Sequence, residues 1–223
     1  MINIAVDGFS GTGKSTIAKG LAKRLGIKVL DTGALYRAVA CEFVRQGLDE
    51  NLISKGYVED FAKSLNFKVE FVGDVQHVWV NGVDHTPSLR TEEISVLTSK
   101  LSPFFVVREK ILQVQRGFAK ENDIVMEGRD IGSHVLPDAD FKFFVTASDE
   151  VRAQRRFDQQ KALGNVVDFD EVLKELKERD YRDTHREHGA ITIMPDSIVV
   201  DTSNQTVDQS VEFCLNRIKS NLL

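Results

Sequence analysis

The chain is poor in the features that would place it in several common classes. Only two of its 223 residues are cysteine, Cys41 and Cys214, far apart and without metal-ligand spacing. That excludes a disulfide framework and predicts two buried thiols of a cytosolic protein. No apolar run approaches the roughly 18 residues a membrane span needs, and the N-terminus lacks the basic, apolar, small-residue order of a signal peptide. A cytoplasmic location without membrane attachment is therefore expected. Positive charge is not in excess: 29 Lys and Arg face 34 Asp and Glu, a net charge of −5, which argues against non-specific binding to nucleic acid. Repeats, low-complexity tracts and long linkers are absent, and no obligatory protein partner is evident. What remains is an ordinary globular composition, 42% hydrophobic and 28% charged, long enough for one α/β domain with a small insertion.

Against this plain background one segment stands out. Gly8-Phe9-Ser10-Gly11-Thr12-Gly13-Lys14-Ser15 reads G-x-x-x-x-G-K-S and continues into Thr16. It follows the apolar run Ile2-Asn3-Ile4-Ala5-Val6 and precedes a helical pattern with Ile17, Leu21 and Leu25 on one face. Strand, glycine-rich turn and helix make this a phosphate-binding loop. The glycines let backbone N–H groups curl around an anion, and the helix adds the positive end of its dipole. Lys14 can reach the β- and γ-phosphates of a nucleotide such as ATP, and the Ser15 hydroxyl can ligate Mg²⁺.

Further apolar strands are expected at 27–30, 124–126, 141–145 and 198–200. Helices are expected from Thr32-Gly33 to about 46 and over 50–64, 91–101, 104–119, 149–162, 169–185 and 207–219. Alternation of short apolar strands with helices predicts an α/β fold on a five-stranded parallel sheet. Residues 66–86 alternate with period two around Asn81-Gly82, which predicts a small antiparallel insert. The expected organisation is a single domain with core segments at about 1–47, 91–150 and 190–223, an insert at about 50–90 and a helical lid at about 151–188.

Arginines dominate the remaining polar pattern. Strand two delivers Asp31-Thr32-Gly33-Ala34-Leu35-Tyr36-Arg37 to the ligand-binding edge of the sheet, where Tyr36 and Arg37 could hold a second phosphate. Strand three ends in Glu127-Gly128-Arg129-Asp130, which places Arg129 beside Lys14. Arg152, Arg155 and Arg156 share one helix, and Arg179, Arg182 and Arg186 the next, with Asp180 and Asp183 interleaved. Such runs form either solvated faces or a lid that brings positive charge to a transferring phosphoryl group.

The segments D-G-F-S-G-T-G-K-S, D-T-G-A-L-Y-R, E-G-R-D-I-G, L-P-D-A-D-F-K-F-F, R-A-Q-R-R and K-E-R-D-Y-R-D occur in this order and span nearly the whole chain. Together they resemble the bacterial cytidylate kinases, members of the nucleoside monophosphate kinases with a P-loop. The resemblance implies phosphorylation of CMP and dCMP by ATP with Mg²⁺. Gly8 to Thr16 then match the ATP-phosphate cradle, and Thr32, Tyr36, Arg37 and Arg129 match positions around the monophosphate. Ser99, Arg108 and Asp130 match readers of the cytosine base, and Arg179 and Asp183 positions near the sugar. Arg186 and the 152–156 arginines match phosphate-binding lid positions. Lys14, Arg129, Arg155, Arg156 and Arg186 are the implied catalytic charges. Glu127 stands where Asp is more usual, and Thr32 where many members carry Ser. Another small-molecule P-loop kinase and a catalytically silent nucleotide-binding module are the alternatives. A GTPase switch would need an N-K-x-D motif, which the chain lacks.

Overall fold

The computed structural model describes residues 1–49, 51 and 53–222. Its strands are β1 (Asn3–Gly8), β2 (Lys28–Asp31), β3 (Phe67–Val72), β4 (Val75–Val80), β5 (Val83–Asp84), β6 (Ile124–Gly128), β7 (Phe141–Thr146) and β8 (Ile198–Asp201). Its helices are α1 (Lys14–Leu25), α2 (Thr32–Arg45), α3 (Lys55–Lys63), α4 (Glu92–Leu101), α5 (Phe105–Glu121), α6 (Asp149–Ala162), α7 (Phe169–His185) and α8 (Val207–Leu222). Glu50 and Leu52, within the helix expected over 50–64, lie outside the described residues. The chain divides into two compact units, one of Leu30–Asn122 with Met1, the other of Ile2–Val29 and the chain from Asp123 onward.

The sheet carried mainly by the second unit has the order β2-β6-β1-β7-β8. β1 pairs in parallel with β6 on one side and β7 on the other, and β7 pairs in parallel with β8. β1 is buried from Ile4 onward, as a central strand covered on both faces must be. Ile4, Val6, Phe143 and Val145 of the sheet share a core with Ile17 and Leu21 of α1 and Val211 and Leu215 of α8. A Cβ at Gly20 would lie 2.6 Å from the Val211 side chain, so the small residue sets how closely α1 and α8 pack. Because the chain fills one side of β1 with β2 and β6 and then crosses to the other side for β7 and β8, the carboxyl end of β1 is a switch point of the topology, where α/β sheets bind ligands.

The other unit is α2 to α5 with a three-stranded antiparallel sheet β3-β4-β5. Asn81-Gly82 forms the expected tight turn, with φ of 50° and 79° and Val80 opposite Val83, the twist that two-residue hairpins prefer. Gly73-Asp74 makes the other turn, closing Val72 onto Val75. Phe43 of α2 meets Phe61 of α3 edge-on at 5.2 Å.

This unit also buries charge. Glu42 of α2 has no exposed surface. It accepts from Arg45 (2.6 and 2.7 Å), Gln46 (2.8 Å) and Asn81 (2.9 Å), and lies 3.0 Å from His85 Nε2. Burial alone would raise its pKa, but these donors hold it down to about 2.

Expected and observed elements agree in kind and order. The observed strands run further into polar residues, β6 to Glu127-Gly128 and β8 to Asp201. Pairing with β1 and β7 carries them there, through Val6↔Glu127 and Thr146↔Asp201. Both cysteines are buried, and burial pushes their thiols up to about 11 and about 12.

Candidate active site

The phosphate loop leaves β1 through a backbone only glycine allows. Gly8 has φ 152°, and a Cβ there would lie 2.2 Å from the Val145 carbonyl oxygen. Inside the loop, Thr12 is buried; its hydroxyl donates to Phe9 O at 3.0 Å and its carbonyl accepts from Thr202 Oγ1 at 2.7 Å. Lys14 reaches back across the loop, Nζ donating to Phe9 O at 3.1 Å. The Ser15 hydroxyl donates to Glu127 Oε2 at 2.8 Å, so the end of β6 lies against the start of α1.

Arg129 extends from that same strand end, as its position after β6 implies. Its Nη1 donates to Gly8 O at 2.9 Å and its Nε to Asp183 Oδ2 at 2.9 Å. Asp183 of α7 also faces Arg186, at 3.8 Å, and Arg179. Burial would raise the Asp183 pKa, but Arg129 above all, with Arg186 and Arg179, holds it below the usual range. Arg179 is exposed on α7, yet desolvation by the groups packed around it, then the repulsion of Arg129, pulls its pKa down to about 10. It remains a cation at neutral pH, and Arg156 adds to the same field. Three guanidiniums thus gather on one carboxylate. Arg186 Nε also donates to Gly189 O at 2.5 Å.

The arginines of α6 divide by role. Arg155 brackets the loop, Nη1 reaching Gly11 O at 3.3 Å and Thr202 Oγ1 at 3.0 Å, and Nη2 reaching Thr202 O at 2.8 Å. Arg156 is exposed. Arg152, which the motif places with them among the phosphate-binding lid positions, is buried. It donates to Asp180 at 2.6 Å and Asp149 at 2.5 Å, and to the carbonyls of Ser10 and Ala147 at 3.2 Å. Its guanidinium also lies 5.4 Å from the Phe9 ring centre. Two carboxylates answer its charge, so it ties α6 to α7 and props the loop rather than offering a free cation.

Sequence reasoning missed Asp7. It accepts from the N–H groups of Ile131 (2.8 Å) and Gly132 (2.7 Å), just beyond Arg129-Asp130. Burial raises its pKa to about 6, against the pull of those two bonds. An acid closing the apolar run Ile4-Ala5-Val6 was the available signal. Asp130 itself is buried.

Within the other unit, α2 begins at Thr32, which is buried, and is capped by Asp31, whose Oδ1 accepts from Ala34 N at 3.0 Å. Arg37 donates through Nη2 to Asp31 Oδ2 at 2.9 Å. Arg108 of α5 is buried with its guanidinium 5.5 Å from the Tyr36 ring centre, a cation–π distance. Tyr36 of α2 and Arg108 of α5 therefore meet, with Arg37 one position further along α2. Ser99 stands on the exposed face of α4, its hydroxyl donating to Ser95 O at 3.2 Å.

A phosphate loop whose carbonyls are held by arginines fits several kinases, and the comparison with known proteins narrows them. The cytidylate kinase family model matches residues 4–220. The chain belongs to the cytidylate kinase family. A cytidylate kinase of Caldicellulosiruptor saccharolyticus is 39% identical over 211 residues, covering 95% of this chain and 92% of its own. One of Caldanaerobacter subterraneus is 40% identical, covering 99% and 96%. One of Flavobacterium johnsoniae is 42% identical, covering 91% and 89%. Among solved structures, an uncharacterised protein of Eubacterium ventriosum superposes with a TM-score of 0.53 at 15% identity over 99% of both chains. A Thermus thermophilus protein does so at 0.50 and 19%, over 100% of this chain and 98% of its own. These two share the fold. The family match, not the fold, separates cytidylate kinases from other P-loop enzymes.

Proposed function

We infer that this chain transfers the γ-phosphoryl group of ATP to CMP or dCMP, giving ADP and CDP or dCDP. The observation that carries the reading, beside family membership, is the convergence of arginines at the phosphate loop. Arg129 is bonded to Gly8 O, and with Arg179 and Arg186 it shares one carboxylate.

Transfer proceeds by attack of an acceptor phosphate oxygen on the γ-phosphorus. The bond from that phosphorus to the β–γ bridging oxygen breaks, and ADP leaves with the electron pair. With its second pKa near 6, the acceptor phosphate is already largely a dianion at pH 7, so no strong base and no protein nucleophile is required. The protein's contribution is position and charge. The backbone of Gly8 to Thr16 holds the ATP phosphates, and Lys14 with Arg129, Arg155, Arg156 and Arg186 stabilises charge on the moving group. Thr32, Tyr36 and Arg37 hold the acceptor phosphate, while Ser99, Arg108 and Asp130 read the base. Arg179 and Asp183 meet the sugar.

The residues at the loop also suit Mg²⁺. Ser15 Oγ and Glu127 Oε2 lie 2.8 Å apart and offer only oxygen. No group of three or more acid, His or Cys side chains suited to a metal occurs among the described residues. One or two protein oxygens, completed by substrate phosphates and water, is the set this ion prefers. When bound, the ion would neutralise charge on the β- and γ-phosphates.

Residues 151–188 serve as the lid that closes over bound nucleotide, and 50–90 as the acceptor-side insert. The enzyme acts on free nucleotides in the cytoplasm. Its net charge of −5 disfavours nucleic acid as a partner, and no described helix is long and apolar enough to cross a membrane. Assay of ADP release tests the reading: ATP with CMP or dCMP should turn over, and ATP alone should not. A silent nucleotide-binding module would bind ATP and release no ADP with any acceptor.

A further inference from the structure

Arg37, assigned to the acceptor phosphate, is not aimed by α2 alone. Nη2 donates to Asp31 Oδ2 at 2.9 Å, while the buried Nε has no hydrogen-bond partner among the described residues. A buried donor without an acceptor is costly in a folded protein and marks a group held ready for another oxygen.

Asp31 does two jobs with one carboxylate, capping α2 through Oδ1 and holding Arg37 through Oδ2. Its own backbone is fixed in turn. Asp31 N donates to Gln76 Oε1 at 2.8 Å, and Gln76 Nε2 donates to Asp31 O at 3.2 Å. Gln76 lies on β4, opposite Phe71 of β3. Its carboxamide thus pairs with both polar groups of one residue at the end of β2, as a neighbouring strand would. Arg90, an exposed side chain, lies 3.9 Å from the same Asp31 oxygen; without a fixed carboxylate, the two arginines would compete for it.

We propose that Gln76 is a positioning residue for acceptor binding, acting through Asp31 on Arg37; this role rests on Arg37 being a ligand of the acceptor phosphate. The chemistry asks for this residue type. Only a primary amide presents a donor and an acceptor side by side. Glutamate would set an oxygen against the Asp31 carbonyl, and asparagine is one methylene short.

The test combines CMP titration calorimetry, steady-state kinetics and melting on Gln76→Met, Arg37→Ala and the double variant. Methionine keeps the chain length and removes the amide. Should it fold poorly, Gln76→Asn serves in its place with the same expectation. Gln76→Met should weaken binary CMP binding about 3- to 10-fold, the range for a lost neutral hydrogen-bond pair. KM for ATP and kcat should stay within about twofold of the parent, which mere loosening of the fold would not predict. Arg37→Ala should weaken CMP binding about tenfold or more, and adding Gln76→Met to it should change nothing further, because residues in one chain of contacts are not additive. Full CMP affinity in Gln76→Met alongside a weakened Arg37→Ala would overturn the proposal, as would additive losses in the double variant. Full CMP affinity in Arg37→Ala would instead overturn the assignment of Arg37, and the proposal with it.

Discussion

Two largely buried carboxylates, Asp183 and Glu42, make the instructive contrast in this molecule. Asp183 faces three arginines, Arg129, Arg179 and Arg186. Glu42 faces a single arginine, Arg45, and completes its shell with Gln46, Asn81 and His85. Both are held below the ordinary carboxylate range, yet their surroundings differ. Around Glu42 the ion pair closes on itself and binds α2 to the Asn81 turn and His85. Around Asp183 three arginines converge beside the phosphate loop, with Asp180 also attracting Arg179, and we propose that a polyanionic substrate joins them. On this proposal a closed cluster builds structure and converging arginines meet a ligand. Arg152 shows the same rule inside a catalytic-looking motif, since Asp149 and Asp180 answer it.

The largest expected effect is on Arg152. Arg152→Ala should lower stability by about 3 kcal/mol or more at neutral pH, the range for breaking a buried ion pair, read by denaturant unfolding. Asp180, already raised by burial and restrained by Arg152, would be stranded, so the loss should shrink in acid as that carboxyl protonates. An unchanged midpoint would return Arg152 to the ligand-binding set. Next comes Lys14→Ala, which should cost turnover on the order of 10²-fold while the melting temperature holds. Near-normal turnover in the purified variant would break the assignment of the loop.

Glu42→Gln should cost about 2 kcal/mol, with a pH signature. The folded pKa is about 2 and the ordinary value 4.5. The stabilisation is therefore complete above about pH 4.5 and lost as pH falls toward 2. The gap between parent and variant should be widest at neutral pH and close in that window; a gap constant down to pH 2.5 would refute the ion-pair account. The smallest effects sharpen the contrast at the site. Arg129→Ala should weaken binary CMP binding by about tenfold, as loss of a charged hydrogen bond does. Arg156→Ala, at an exposed position, should leave that affinity intact and lower kcat.

Much of this was legible in the sequence, for reasons that are local. The phosphate loop, the order of strands and helices and the Asn81-Gly82 turn depend on residues within a few positions of each other, and each forms as expected. The position of Arg129 beside the loop followed from its place after a parallel strand. The sequence was silent where partners are distant. Arg152 meets Ser10 O across 142 positions, and Glu42 meets His85 across 43. Only a charged residue within the apolar run Ala38-Val39-Ala40-Cys41-Glu42-Phe43 hinted at the second pair. Gln76 gave no signal, because a glutamine on an alternating strand looks like any solvent-facing residue until its amide is seen against Asp31.

Acceptor choice tests the central claim most directly. With ATP fixed, kcat/KM should be measured for CMP, dCMP, AMP, GMP and dTMP in one coupled assay. A site whose polar groups match one base leaves them unpaired against another, so CMP and dCMP should lead by about 10² or more. AMP or GMP equalling or exceeding CMP would contradict the account.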